Sequence, residues 1–223
     1  MPFGDSQSKV YVSIIDGMLA VRSSESDAKA VKRELKNGTV IYERRYKTLE
    51  GKLKDVFFKS NDFGGKKWDD LVLLIFDGTD HYQLSMVFPG KYSNSVLNTI
   101  KNVDFNSTII FSPWTKTVND KVKAALFFNI PGQKNSVPWY FTKDTPNGLP
   151  ELVPYTVPGS NDTKWSDVDR NKFYKHMIEH DIRPTLQKVW HSPVASEARR
   201  EEVIEPLDTF TSSDPEAIDD LPF

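Results

Sequence analysis

Three residues in the segment HMIEH have the types and spacing for hydrolytic chemistry. His176 and His180 are four residues apart, so a helix places both imidazoles on one side, where they could share a Zn²⁺ ion with Glu179 as general base. The simpler account is an amphipathic helix carrying two boundary histidines. A second possibility is metal-dependent phosphodiester cleavage through the acids Asp69, Asp70, Asp77 and Asp80. Yet "DD" at a strand start and "DGTD" between strands are ordinary turn chemistry. There is no glycine-rich phosphate loop or serine nucleophile elbow. The chain has no Cys, which removes disulfides and thiolate zinc sites. The expectation is a protein that is not an enzyme, with no catalytic residue, metal or cofactor.

A different chemistry runs through "YKTLEGKLKDVFFKSNDFGGKKW", where lysines alternate with aromatic rings. Cations neutralise phosphates, and rings give bases a stacking platform worth roughly 1–3 kcal/mol each. Strand alternation puts Phe57 and Lys59 on one face, with Val56 and Phe58 on the core face. The binding candidates here are Lys47, Lys52, Lys54, Phe57, Lys59, Lys66, Lys67 and Trp68, the last three on a flexible basic loop. A second segment, 114–128, repeats the theme. Val122, Ala124, Leu126 and Phe128 are expected to face inward, leaving Lys121, Lys123 and Phe127 outside. Trp114 is placed in the preceding loop beside Lys116. Trp139 and Tyr140 are further candidates that core packing explains equally well.

These residues need short strands to hold them. Runs 9–15 and 18–23 flank Asp16-Gly17, a strong two-residue hairpin signal. Runs 39–48 and 52–59 flank Leu49-Glu50-Gly51 and predict a second hairpin. Runs 71–77 and 81–88 predict a third, and 107–112, 121–130 and 137–143 add strands. A helix over 94–103 follows Ser93 as N-cap and aligns Val96, Leu97 and Ile100. A longer helix runs over 166–181, is broken or kinked by Pro184, and can resume over "TLQKVW". Residues 145–163 read as an irregular connection. The pattern predicts a mainly β chain: an OB-like barrel of antiparallel hairpins, a short helix between strand groups, a C-terminal helix and a disordered acidic tail. The domain division is 1–190 for the binding body and 191–223 for the tail.

Charge is divided along the same line. The chain has 29 Lys and Arg against 31 Asp and Glu. Residues 201–223 hold eight of the acids and no base, which leaves 29 bases against 23 acids before them, a net of +6. A basic body with an acidic tail is the asymmetry of nucleic-acid binders. The start "MPFGDSQSKV" lacks the pattern of a signal peptide, and no apolar run approaches the ~20 residues that span a bilayer. Cytoplasm is the default, and no membrane association is expected.

The tail ends Asp219-Asp220-Leu221-Pro222-Phe223. This resembles bacterial single-stranded DNA-binding proteins, whose acidic tails end in Asp-Asp-Ile-Pro-Phe or close to it. The match covers about ten residues. The larger body and the near absence of a Gly/Gln/Pro-rich linker make the chain look more like a bacteriophage-type member, in a bacterial host cytoplasm. The resemblance implies that Phe223 enters a pocket on replication and repair proteins, such as a helicase, primase, polymerase or nuclease. Asp219 and Asp220 would meet basic residues around it, and Leu221 and Pro222 would complete the anchor.

The implied function is sequence-independent binding and protection of single-stranded DNA during replication, recombination or repair. An RNA-binding chaperone is the alternative. A hydrolase built on His176, Glu179 and His180 is a weaker one, because inverted zinc metallopeptidases sharing H-x-x-E-H add an acidic ligand from a later helix, and only a short stretch and the tail follow His180.

Overall fold

A computed structural model describes residues 9–35, 37–156 and 163–191. The chain is mainly β, as its strand pattern predicts. The described strands are β1 (Lys9–Ile15), β2 (Met18–Ser23), β3 (Val31–Glu34), β4 (Val40–Tyr46), β5 (Leu49–Phe63), β6 (Lys66–Phe76), β7 (His81–Phe88), β8 (Ile109–Val118), β9 (Lys121–Asn129), β10 (Val153–Thr156) and β11 (Thr163–Ser166). Helix α1 (Lys91–Thr99) separates β7 from β8, and α2 (Val168–Met177) and α3 (Arg183–His191) follow β11. Nine strands form one mixed sheet in the order β3-β4-β2-β1-β7-β6-β5-β8-β9, in which β1 and β7 run parallel. β10, within the segment expected to be irregular, pairs separately with β11, which begins at the end of that segment.

Two predicted hairpins form. Ile15 faces Met18 across Asp16-Gly17, whose φ values of 52° and 73° are the paired positive angles of a tight hairpin turn. β6 and β7 pair from Asp69↔Phe88 to Phe76↔His81. The hairpin expected around Leu49-Glu50-Gly51 does not form. β4 pairs with β2 and β3 instead, and these three residues begin β5. Gly51 serves a close approach rather than a turn: a Cβ there would lie 2.7 Å from Ile75 Cγ2 and 2.8 Å from the Phe76 carbonyl oxygen.

β5 curves the sheet. Its first residues, Leu49 to Gly51, pair with β8, and from Lys52 onward it pairs with β6. A register shift between Leu53 and Asp55 leaves Lys54 as a bulge, which bends the strand. The sheet then curls until the β1–β2 turn meets β8, where a Cβ on Gly17 would lie 2.6 Å from Thr115 Cγ2. β3 and β9 remain its edges, so strand ladders among the described residues do not close it into a barrel.

The core lies inside this curl. Leu53, Val56, Leu71, Leu73, Ile75, Leu84, Phe111 and Phe128 are buried against Val96, Leu97 and Ile100 of α1, the helical face that the sequence predicts. α1 starts at Lys91 with Gly90 as N-cap, earlier than expected. Ser93 is buried, and its Oγ accepts the Gly90 N–H at 3.0 Å. The Leu126 N–H donates to Ser95 Oγ at 2.8 Å, so α1 satisfies part of the free edge of β9. The strand expected over 137–143 is absent; Tyr140 and Phe141 instead donate their N–H groups to the Asn98 carbonyl at 2.7 and 3.2 Å.

The C-terminal helix is continuous through Pro184. A π turn, Ile178–Ile182, joins α2 to α3. Proline lacks an N–H and crowds the carbonyl one turn back, and a widened turn relieves both without a break. Tyr174, Met177, Ile178, Ile182 and Leu186 are buried. The Trp190 Nε1–H donates to the Leu53 carbonyl at 2.9 Å, and Arg183 holds Asp55 with two 2.9 Å bonds. The helix therefore covers the part of β5 that has left β8. Among the described residues no helix is long and apolar enough to cross a membrane. The tail expected over 191–223 lies, past His191, outside the described residues, and with it Asp219, Asp220, Leu221, Pro222 and Phe223.

Candidate nucleic-acid interface

Strand pairing sorts the candidate residues by face, because residues directly opposite each other share a side. On the outer face of β5 and β6, Phe57 is opposite Val72, Lys59 opposite Asp70, Asn61 opposite Trp68, and Phe63 opposite Lys66. Phe58 points the other way, onto Phe88 with ring centroids 4.7 Å apart, as the alternation predicts. Lys67 lies opposite Asp62 on the same side as Phe58.

The basic segment around Trp68 is not a loop. β5 and β6 continue to a Gly64-Gly65 turn, with φ values of 60° and 79°. β7 ends opposite Asp69, so the residues beyond form a two-stranded finger with no third strand among the described residues. Phe63 stands at its tip, 81% exposed, beside exposed Lys66 and Lys67.

Other members of the first group have partners. The Arg183 guanidinium lies 5.5 Å from the Phe57 ring centre. Lys54 Nζ lies 5.9 Å from the Phe76 ring and 5.3 Å from that of Trp190. Lys52 is opposite Phe76 on the outer face, and Lys47 is exposed in the link from β4 to β5.

The second group shares the outer face of β8 and β9. Trp114 is on β8 rather than in a loop, because that strand runs on through Pro113 to Val118. It faces Ala125, and its ring lies 6.4 Å from Phe127, which is opposite Ser112. Lys116 faces Lys123, and Lys121 faces Val118 at the turn. Ala124, Leu126 and Phe128 are buried as expected, whereas Val122 is 50% exposed, since it pairs with exposed Thr117 near the hairpin tip. Tyr140 packs edge-on against buried Phe141, with Lys101 Nζ 5.7 Å from its ring. Trp139 is half-buried.

Of the acids considered for phosphodiester cleavage, Asp69, Asp70 and Asp77 accept structural hydrogen bonds. Lys175 and Ser60 donate to Asp69 at 2.5 and 2.6 Å and hold its carboxyl below the usual range. Asn61 donates to Asp70 at 2.9 Å. Burial pushes the Asp77 carboxyl up, but N–H donors from Asp80 and Thr79 and the Tyr82 hydroxyl outweigh it and bring it below its ordinary value. The His176 and His180 rings lie 4.3 Å apart on an exposed helix face with Glu179 exposed beside them. Among the described residues, no group of three or more His, Cys, Asp or Glu is placed to hold a metal.

What the outer faces can do is stack rings and neutralise phosphates. Phe63 is one of the rings of the lysine-rich segment but not one of its binding candidates, although a Phe directly before Gly-Gly signals a ring at a turn. Tyr11, 64% exposed on β1, is not among the candidates either. Comparison with protein families, curated proteins and solved structures finds no match to this chain.

Proposed function

We propose that the body binds single-stranded DNA without marked sequence preference, and that the acidic tail 191–223, through Asp219, Asp220, Leu221, Pro222 and Phe223, recruits replication and repair proteins in the cytoplasm of a bacterial host. The observation that carries the reading is the β5–β6 finger, which projects Phe63, Lys66, Lys67 and Trp68 past the edge of β7. The order of elements supports it. A long bent strand, two further meander strands, a helix and a closing hairpin follow one another as in OB-like domains, which bind oligonucleotides on the meander face and at the first and last hairpin loops. In that reading those loops are the finger tip and the β8–β9 turn.

The test is titration with oligo-dT, followed by intrinsic tryptophan fluorescence. Affinity should fall steeply with salt, with a log–log slope of roughly −0.7 per neutralised phosphate. Trp68→Ala should weaken binding about fivefold to hundredfold, the range of one lost stacking platform. The double variant Lys66→Ala/Lys67→Ala should flatten the salt slope. Equal affinity for duplex of the same length overturns the reading, and tighter binding to oligo-U than to oligo-dT turns it toward RNA.

A further inference from the structure

The outer face that holds Phe57 and Lys59 does not end at β6. Val72, opposite Phe57, is also opposite Ser85 of β7, and β7 in turn pairs with β1. The parallel register sets Lys9 opposite His81 and Tyr11 opposite Gln83. One step beyond the Val12↔Val21 pair, the β1–β2 register brings exposed Arg22 beside Tyr11 on the same face. Tyr11 is 64% exposed, although Val10 and Val12 on either side turn toward the core. His81 stacks on Phe76 with ring centroids 4.7 Å apart. Burial, and then the positive charges of Lys54 and Lys9, lower the proton affinity of His81, against the opposing pull of Asp77 and Asp80. Lys9 stands opposite this ring across the β1–β7 ladder.

Resting on the single-strand reading above, we propose that Lys9, Tyr11, Arg22 and His81 form a second nucleic-acid contact patch, in which Tyr11 stacks a base and the cations hold the adjoining phosphates. Lys9 and Arg22 supply the positive charge that suits a polyanion. An exposed ring between Arg22 and Gln83 suits an unpaired base, which offers a face for stacking and an edge for hydrogen bonds. The strand would then cross the sheet from the finger over β6 and β7 to β1.

Oligo-dT titrations of the full chain test this. Tyr11→Ala should weaken binding about fivefold to hundredfold, and Tyr11→Phe should restore it to within about twofold, because stacking needs the ring and not the hydroxyl. Lys9→Ala with Arg22→Ala should make the salt slope shallower by about 1.4. Thermal midpoints of these variants should stay at the wild-type value. Variants that bind like wild type, while Trp68→Ala weakens binding, overturn the patch and leave the functional reading standing. Failure of the wild type to bind oligo-dT overturns both. Tighter binding by Tyr11→Ala would assign the patch to the acidic segment, and loss of a dimer in that variant would assign it to a second copy; either result overturns the proposal.

Discussion

Single side chains separate the proposed binding from stability in this protein. Phe63 is exposed and supports no core, so Phe63→Ala should reduce oligo-dT affinity about fivefold to hundredfold while changing stability by less than about 0.5 kcal/mol. Affinity titration and thermal unfolding on the same sample read the two effects apart. Tyr174 is the reverse case. It is buried, and its hydroxyl donates to Asn98 Oδ1 at 2.7 Å. Tyr174→Phe leaves that acceptor without its donor and should cost about 1–3 kcal/mol in urea unfolding, with DNA affinity unchanged. Burial pushes the Tyr174 phenol up to about 12, against an ordinary value of 10.0. The native state therefore keeps a proton that the unfolded chain releases. The stability from this group is complete below about pH 10 and is lost as pH rises toward 12. Tyr82, also raised to about 12 by burial and by Asp77, adds to the same window, so Tyr174→Phe should reduce the alkaline loss without abolishing it.

At the scale of elements, two glycines on β5 and its turn carry costs of different origin. Gly51 lies in β5 where a Cβ would meet backbone atoms of β6, and backbone cannot swing aside. Gly51→Ala should destabilise by about 1–3 kcal/mol, the range for overpacking, and should loosen the crossing that joins β5 to both β6 and β8. Gly64, at the finger tip, has open space around it and only a left-handed φ to hold. Gly64→Ala should cost about 1–2 kcal/mol through backbone strain alone. Urea unfolding of the two variants, read with oligo-dT affinity, distinguishes a damaged sheet from a damaged tip. The C-terminal helix depends on β5 in a similar way, since Arg183 and Trp190 hold successive points along it. Its His176/Glu179/His180 face points to solvent, so replacing both histidines by Gln should leave fold and affinity unchanged. Stoichiometric zinc in the wild type, lost in that variant, would contradict this.

Over the whole molecule, the proposed function makes the uneven charge a source of competition. The first 200 residues carry a net of +6 and the rest carry eight acids. An acidic segment tethered to a basic face competes with phosphate for it, and its effect weakens as salt screens it. Removing residues 214–223 should abolish capture of replication or repair proteins while leaving oligo-dT affinity unchanged or higher. Pull-down and titration on the full and shortened chains make the comparison. Loss of DNA binding with partner capture intact would show the two roles reversed.

Local pattern was enough wherever the governing distance was short. The Asp16-Gly17 turn, the β6–β7 hairpin, the inward faces of Val56 and Phe58, and the α1 stripe of Val96, Leu97 and Ile100 all follow from periods of two or 3.6 residues and from turn chemistry. The uneven charge was likewise legible, because it needs only counting. What could not be read depended on which segments meet. A glycine between apolar runs signals either a turn or a close approach, and only the presence of Ile75 and Phe76 against Gly51 decides between them. Trp114 and Trp68 looked like loop residues because polar, exposed strand arms have loop-like composition; their ladders to β9 and β5 make them strand positions. The register that places β1 beside β7, and so Tyr11 on the face of Phe57, is set by burying Val12 against the core across some seventy intervening residues. Local periodicity tells which side of a strand is apolar, but the shared core decides which strands become neighbours, and the proposed binding face is made of neighbours.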